Sequence, residues 1–179
     1  MKLNICCGKD YKEGYTNVDF SNLGSDGSPI KVDLVWNLLS EIWPTSEFAK
    51  GNCAQEIVFR EALEHFNRWN GLVVLRKLFY LLEPGGILDL TVPPAEKQLK
   101  MYLMWMNRID HIDDFLKAHE RFSCLKWHDD LMGATHESDG TDGDSHKTLF
   151  SSKMLRLILE HVGFRIISID DNIHVKATK

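Results

Sequence analysis

Two short apolar runs near the start of the chain, Leu3–Cys6 and Thr16–Phe20, are separated by a polar segment, Lys9–Tyr15, with little room for a helix. Each reads as a short strand. The first runs into Cys7-Gly8, where glycine permits a tight turn, and the second carries an acid, Asp19, at its end. A chain that begins this way makes its first strand-to-strand connection with a short or missing crossover helix.

The rest of the sequence alternates between strand and helix signals. After the turn-rich stretch Ser21–Pro29, Ile30–Leu34 is a third strand candidate, followed by a short helical segment over Leu38–Trp43 that Pro44 limits. Glu56–Phe59 is a fourth strand. Leu72, Val73, Leu75, Leu78, Phe79, Leu81 and Leu82 recur at helical spacing, and Glu83-Pro84-Gly85-Gly86 ends that helix before a fifth strand, Ile87–Val92. Residues 95–132 contain neither Gly nor Pro and carry Leu99, Leu103, Met106, Ile109 and Ile112 at helical spacing, predicting one or two helices; His128–His146 is a polar loop. Ser151 and Ser152 cap a last helix, Lys153–Val162, which Gly163 closes, and Arg165–Ile169 and Ile173–Val175 are two final strands. This alternation predicts an open α/β sheet, whose ligands bind beyond the carboxyl ends of its strands. The places to look are Cys6–Lys9, Asp19–Ser21, Leu34–Leu38 and Arg60–His65.

Composition narrows the function classes. The 179 residues amount to one domain, read as 1–179 with 95–148 as a helical and loop insertion. A net charge of −5 opposes binding of nucleic acid. No apolar run approaches a membrane span or a leader peptide, and the four cysteines, Cys6, Cys7, Cys53 and Cys124, form no Cys-x-x-Cys pair. The expectation is a cytoplasmic protein with no membrane association.

At the strand ends, Gly8 either closes a simple turn or lets a ligand approach the backbone, and Asp19 either is a solvated turn residue or Asx cap or accepts two hydrogen bonds from a ribose diol. A dinucleotide site would need a Gly-x-Gly-x-x-Gly run and an acid about 20 residues on. Only Gly8 is present and Asp19 comes much sooner, so nicotinamide and flavin readings fail. Glu61, Glu64 and His65 would share one face of a helix and present two oxygens and a nitrogen to a divalent ion. Against this, Glu64 suits a first helical turn on charge alone, and the expectation is no metal. The Asp-Gly-Thr-Asp-Gly-Asp run fails the EF-hand spacing and reads as part of a solvated substrate lid.

Leu3-Asn4-Ile5-Cys6-Cys7-Gly8 followed by Gly14-Tyr15-Thr16-Asn17-Val18-Asp19 resembles the compact first motif of class I S-adenosylmethionine-dependent methyltransferases, of a small bacterial or phage type. Ile30–Leu38 is similar to that family's third-strand segment, Arg60–Phe66 to its segment after strand four, Leu81–Leu88 to its Pro-Gly-Gly turn before strand five, and Leu157–Phe164 to its final helix. Cys6 stands where the family has its first glycine, and Asn37 where it usually has an Asp facing the adenine amine.

The resemblance implies a three-layer sandwich around a mostly parallel seven-stranded sheet whose last strand is antiparallel. It implies S-adenosylmethionine as cofactor, held by Cys6, Cys7 and Gly8 at the methionine end, Asp19 and Phe20 at the ribose, Asn37 and Leu38 at the adenine, with Arg60 and Glu61 alongside. An oxygen or nitrogen acceptor also needs a base, for which His65 and His146 are the candidates. The expected acceptor is a small or sugar-like molecule, selected by the 95–148 region or by a partner chain, with a homodimer also open. A methyltransferase-like module without turnover, acting as a partner subunit, is the alternative.

Overall fold

The computed structural model describes residues 1–24, 27–95, 97, 100 and 147–179. The region 101–146, which holds most of the expected helical insertion, the Asp- and His-rich loop and His146, lies outside the described residues.

Strands β1 (Lys2–Ile5), β2 (Thr16–Asp19), β3 (Leu34–Val35), β4 (Ala54–Arg60), β5 (Leu82–Thr91), β6 (Arg165–Ile169) and β7 (His174–Thr178) form one sheet in the order β3-β2-β1-β4-β5-β7-β6. The pairings from β3 through β5 are parallel, and β7 is antiparallel to both neighbours. With its flanking helices this is a Rossmann-like α/β sandwich, as expected. No helix among the described residues is long and apolar enough to cross a membrane.

Side-chain alternation gives the sheet two chemically different faces. Leu3, Ile5, Val18, Ile57, Phe59, Leu88 and Leu90 point to one of them and are almost fully buried. They form a single core with Phe48 of α1 (Ser46–Lys50), Leu75 and Leu78 of α2 (Arg68–Leu81), and Leu155 and Leu159 of α3 (Ser152–Val162). The alternate positions carry the polar residues Asn4, Asn17, Glu56, Arg60 and Asp89, together with Val58 and Ile87.

No helix forms between β1 and β2. The loop is held instead by Asn17, which is fully buried. Its Oδ1 accepts from Asn4 Nδ2 at 2.9 Å and from Lys12 N at 2.8 Å. Its Nδ2 donates to the carbonyls of Lys12 and Tyr15 and to Asp33 Oδ2, at 3.0–3.1 Å. One side chain thus supplies the polar partners that a crossover helix would find in its own backbone.

The same residue explains why β3 is shorter and later than the expected Ile30–Leu34. Asp33 Oδ2 accepts the Asn17 N–H at 2.8 Å, taking a donor that a longer strand would have used, and pairing begins only at Leu34 opposite Val18. The helix expected over Leu38–Trp43 is also absent. Asn37 Oδ1 accepts from Leu39 N, Ser40 Oγ from Ile42 N, and Ile42 O from Trp36 Nε1, so side chains take the local hydrogen bonds and hold a series of turns. Helix formation waits until after Pro44, where Thr45 caps α1 by accepting from Phe48 N.

Elsewhere the expected elements form with adjusted ends. Extended chain begins at Leu82, directly after α2, so Glu83–Gly86 belong to β5 rather than to a separate turn. The last strand runs on to Thr178, pairing along Ile87–Thr91. Helix α3 has the expected ends: Ser151 accepts from Met154 N, and Gly163 closes it at φ 117°.

Replacing Asn17 with Ala leaves Lys12 N and the Lys12 and Tyr15 carbonyls without their partner. Denaturant unfolding is expected to show a loss of about 3 kcal/mol, within the range for a broken buried hydrogen-bond network.

Candidate functional site

A solvent-open cavity of about 270 Å³ lies at the carboxyl ends of β1, β2, β3 and β4, lined by Cys6, Asp19, Phe20, Trp36, Asn37, Leu38, Glu61, Ala62, His65, Phe66 and Lys147. It is close to the lower end of small-molecule sites, which run roughly 300–1,000 Å³. Seven of these residues are candidates from the sequence: Cys6, Asp19, Phe20, Asn37, Leu38, Glu61 and His65.

The cavity begins where β1 stops. Cys6 adopts φ 55°, the left-handed region that favours glycine, so the strand ends one residue earlier than expected. Burial and the nearby charge of Asp19 both raise its thiol above the usual range. Cys7 and Gly8 complete the turn without lining the cavity. Cys7 N donates to Val18 O at 3.2 Å, and Gly8, at φ 50°, donates its N–H to Asp19 Oδ2 at 2.8 Å. Asp19 Oδ1 accepts from Phe20 N at 2.7 Å. Each carboxylate oxygen therefore holds one backbone donor and keeps lone-pair capacity for a further one. Phe20 beside it is 68% exposed and lines the cavity, so its ring is open to a flat ligand there.

Asn37 Oδ1 takes the Leu39 N–H at 2.9 Å, which fixes the orientation of the amide. Its Nδ2 keeps two hydrogens and its Oδ1 a second lone pair, so this residue can donate as well as accept, where an Asp would only accept.

Arg60 does not line the cavity. Its guanidinium forks onto Asp89, with Nη2 to Oδ2 at 2.9 Å and Nε to Oδ1 at 3.2 Å, while His174 Nε2 is 2.9 Å from Asp89 Oδ1. Burial works against ionisation of Asp89, but hydrogen bonds from Arg60 and His174 outweigh it and hold the carboxyl below its ordinary value.

The segment after β4 also departs from expectation. Glu61 adopts φ 47° and stands outside the helical turn, which is a single 3₁₀ turn over Leu63–His65 preceded by Ala62. Glu61, Glu64 and His65 therefore do not share an α-helical face, and among the described residues no three His, Cys, Asp or Glu side chains converge on a metal-sized site. Lys147 N and Thr148 N both donate to Glu64 O, at 2.7 and 3.1 Å, which brings Lys147 to the cavity wall. No local pattern in the sequence marks Lys147 as a cavity residue; Trp36 and Phe66 sit next to recognised positions.

Glu64 is 2% exposed, and neither carboxyl oxygen has a hydrogen-bond partner among the described residues. Burial, reinforced by the charge of Glu61, pushes its pKa up to about 8.

No protein-family model and no curated protein matches this sequence. Solved structures do match in fold. A Methanosarcina mazei S-adenosylmethionine-dependent methyltransferase is 16% identical, with a TM-score of 0.61 over 99% of this chain and 91% of that one. A Thermotoga maritima methyltransferase described as a possible histamine N-methyltransferase is 12% identical, with a TM-score of 0.54 over 99% and 81%. The Burkholderia thailandensis 1,6-didemethyltoxoflavin-N1-methyltransferase, solved with 1,6-didemethyltoxoflavin and S-adenosylhomocysteine, is 12% identical, with a TM-score of 0.54 over 99% and 69%. The chain has the class I methyltransferase fold.

An acid whose pKa is raised by folding keeps its proton in the native state while the unfolded chain ionises. Glu64 should therefore cost stability as pH rises from the ordinary 4.5 to about 8, above which the cost is constant. Urea unfolding of Glu64→Gln should show a variant that gains on the unmutated protein across that window.

Proposed function

We propose that the chain is an S-adenosylmethionine-dependent methyltransferase acting on a small or sugar-like acceptor. The observation that carries this reading is the pairing of Asp19, tied to the Gly8 turn by its own carboxylate, with an exposed aromatic ring and the Asn37 amide around one cavity of a class I fold.

The donor and acceptor groups fit an adenosine nucleoside. Asp19 has lone-pair capacity for the two ribose hydroxyls, and Phe20 and Leu38 offer apolar surface for the base. Asn37 donates from Nδ2 to a ring nitrogen, where an Asp would accept from the adenine amine. The turn from Cys6 through Cys7 to Gly8 holds the methionine end, with Glu61 alongside. Arg60, committed to Asp89, serves this site by fixing the end of β4 rather than by touching the nucleoside.

When bound, S-adenosylmethionine supplies an electrophilic methyl group on a sulfonium. The protein's own contribution is proximity and alignment, which methyl transfer chiefly requires. His65 lines the cavity and takes the proton of an oxygen or nitrogen acceptor. His146 is a second candidate for that role. The net charge of −5 favours a small acceptor over a polyanion.

Calorimetry should show S-adenosylhomocysteine binding to the unmutated protein and at least a tenfold loss in Asp19→Ala, the scale of losing hydrogen bonds to a charged group. Equal affinity in the two proteins contradicts the site assignment. In a labelled-methyl screen across sugars, phenols and small amines, His65→Ala should lower kcat by roughly 10²–10⁴ with any acceptor found, and leave nucleoside affinity nearly unchanged.

A further inference from the structure

The cavity wall between Cys6 and His65 is backed by a carboxyl group that methyl transfer, as described above, leaves unused. Oε1 of Glu64 lies 4.0 Å from His65 Nε2, and the charge of Glu64 reaches Cys6, where it raises the thiol. Cys6 and His65 both line the cavity, and the buried Glu64, which does not, lies 4.0 Å from the His65 ring. Among the described residues, Glu61 acts on it by charge, His65 lies on the same turn, and Cys6, Asp19 and Lys147 line the same cavity.

A buried carboxylate without donors is costly, and what compensates it is a positive charge or a set of hydrogen-bond donors. The two nucleosides that a methyltransferase handles differ in the first respect. S-adenosylmethionine and S-adenosylhomocysteine share the adenosine and the amino-acid end, and part only in a methyl group and one positive charge on sulfur. Asp19, Phe20 and Asn37 face what the two have in common. A group that separates them has to act on charge.

We infer that Glu64, assisted by Glu61, makes this cavity select the cationic S-adenosylmethionine over the neutral S-adenosylhomocysteine. This rests on the methyltransferase reading above. When the sulfonium arrives, Glu64 gives its proton to solvent and remains ionised. When the ligand is neutral, Glu64 takes a proton from solvent and the cavity loses its attraction for the product. The pair therefore speeds product exchange as well as choosing the ligand.

The test is isothermal calorimetry with each nucleoside on the unmutated protein, Glu64→Gln and Glu61→Gln, in buffers of different ionisation enthalpy and from about pH 6 to about pH 9, a window that spans the Glu64 value of about 8. The expected result has three parts. S-adenosylmethionine binds more tightly, the preference grows with pH, and its binding below about pH 8 releases protons that S-adenosylhomocysteine does not release. In Glu64→Gln the preference falls on the order of tenfold, as removal of one charge at close range requires, and proton release disappears; Glu61→Gln shows a smaller fall. Both nucleosides binding with a preference indifferent to pH and no differential proton release overturn the inference on the unmutated protein alone, whether or not the Gln variant folds, and leave the methyltransferase reading standing. Failure of both nucleosides to bind overturns that reading, and this inference with it.

Discussion

The buried amide of Asn17 is the interaction on which the rest of this structure depends. A parallel pair of strands ordinarily needs a long crossover, and a helix satisfies its own backbone along the way. Here β1 and β2 are parallel neighbours joined by ten residues, and Asn17 gathers Asn4, Lys12, Tyr15 and Asp33 around one side chain. That knot fixes three things together: the path of the Gly8 turn, the register of β2, and the point at which β3 begins. Asp19 lies two residues further on the same strand and the same face, so its meeting with Gly8 N–H at 2.8 Å follows from where Asn17 anchors the loop.

Two buried acids on the strand-end side of the molecule show how partners decide the state of a carboxyl. Asp89 receives a forked arginine and a histidine and is held ionised below its ordinary range. Glu64, more deeply buried and with no hydrogen-bond donor on its carboxyl among the described residues, is pushed up to about 8, chiefly by burial. The first carboxyl is complete within the protein and ties β4 to β5 and β7. The second has no hydrogen-bond partner among the described residues, and its deeper burial favours the neutral form.

Much of this was legible in the sequence, because the signals were local. Apolar runs bounded by turn residues located β1, β2 and β4 to within two residues at either end, and Ser151 and Gly163 marked both ends of α3. The missing first helix was legible too, from the length of the gap alone. What escaped was competition between side chain and backbone. Asp33 takes a strand donor from Asn17, and Asn37 and Ser40 take the hydrogen bonds of a would-be helix, neither of which hydrophobic period reveals. Distant pairing was hidden as well. Nothing near Arg60 shows that Asp89 claims it from 29 residues away, and nothing in Glu61-Ala62-Leu63-Glu64-His65 shows that Glu61 leaves the turn while Glu64 goes inward.

The central claim is that the Asn17-anchored end of the sheet is an adenosine site read by Asp19. The most direct measurement is a crystal structure of the protein with S-adenosylhomocysteine. The account predicts both ribose hydroxyls within hydrogen-bond distance of the Asp19 carboxylate and the base against Phe20 and Leu38, with the Gly8 N–H still on Asp19. A nucleoside bound elsewhere, or in this cavity with Asp19 making no contact to the ribose, contradicts it.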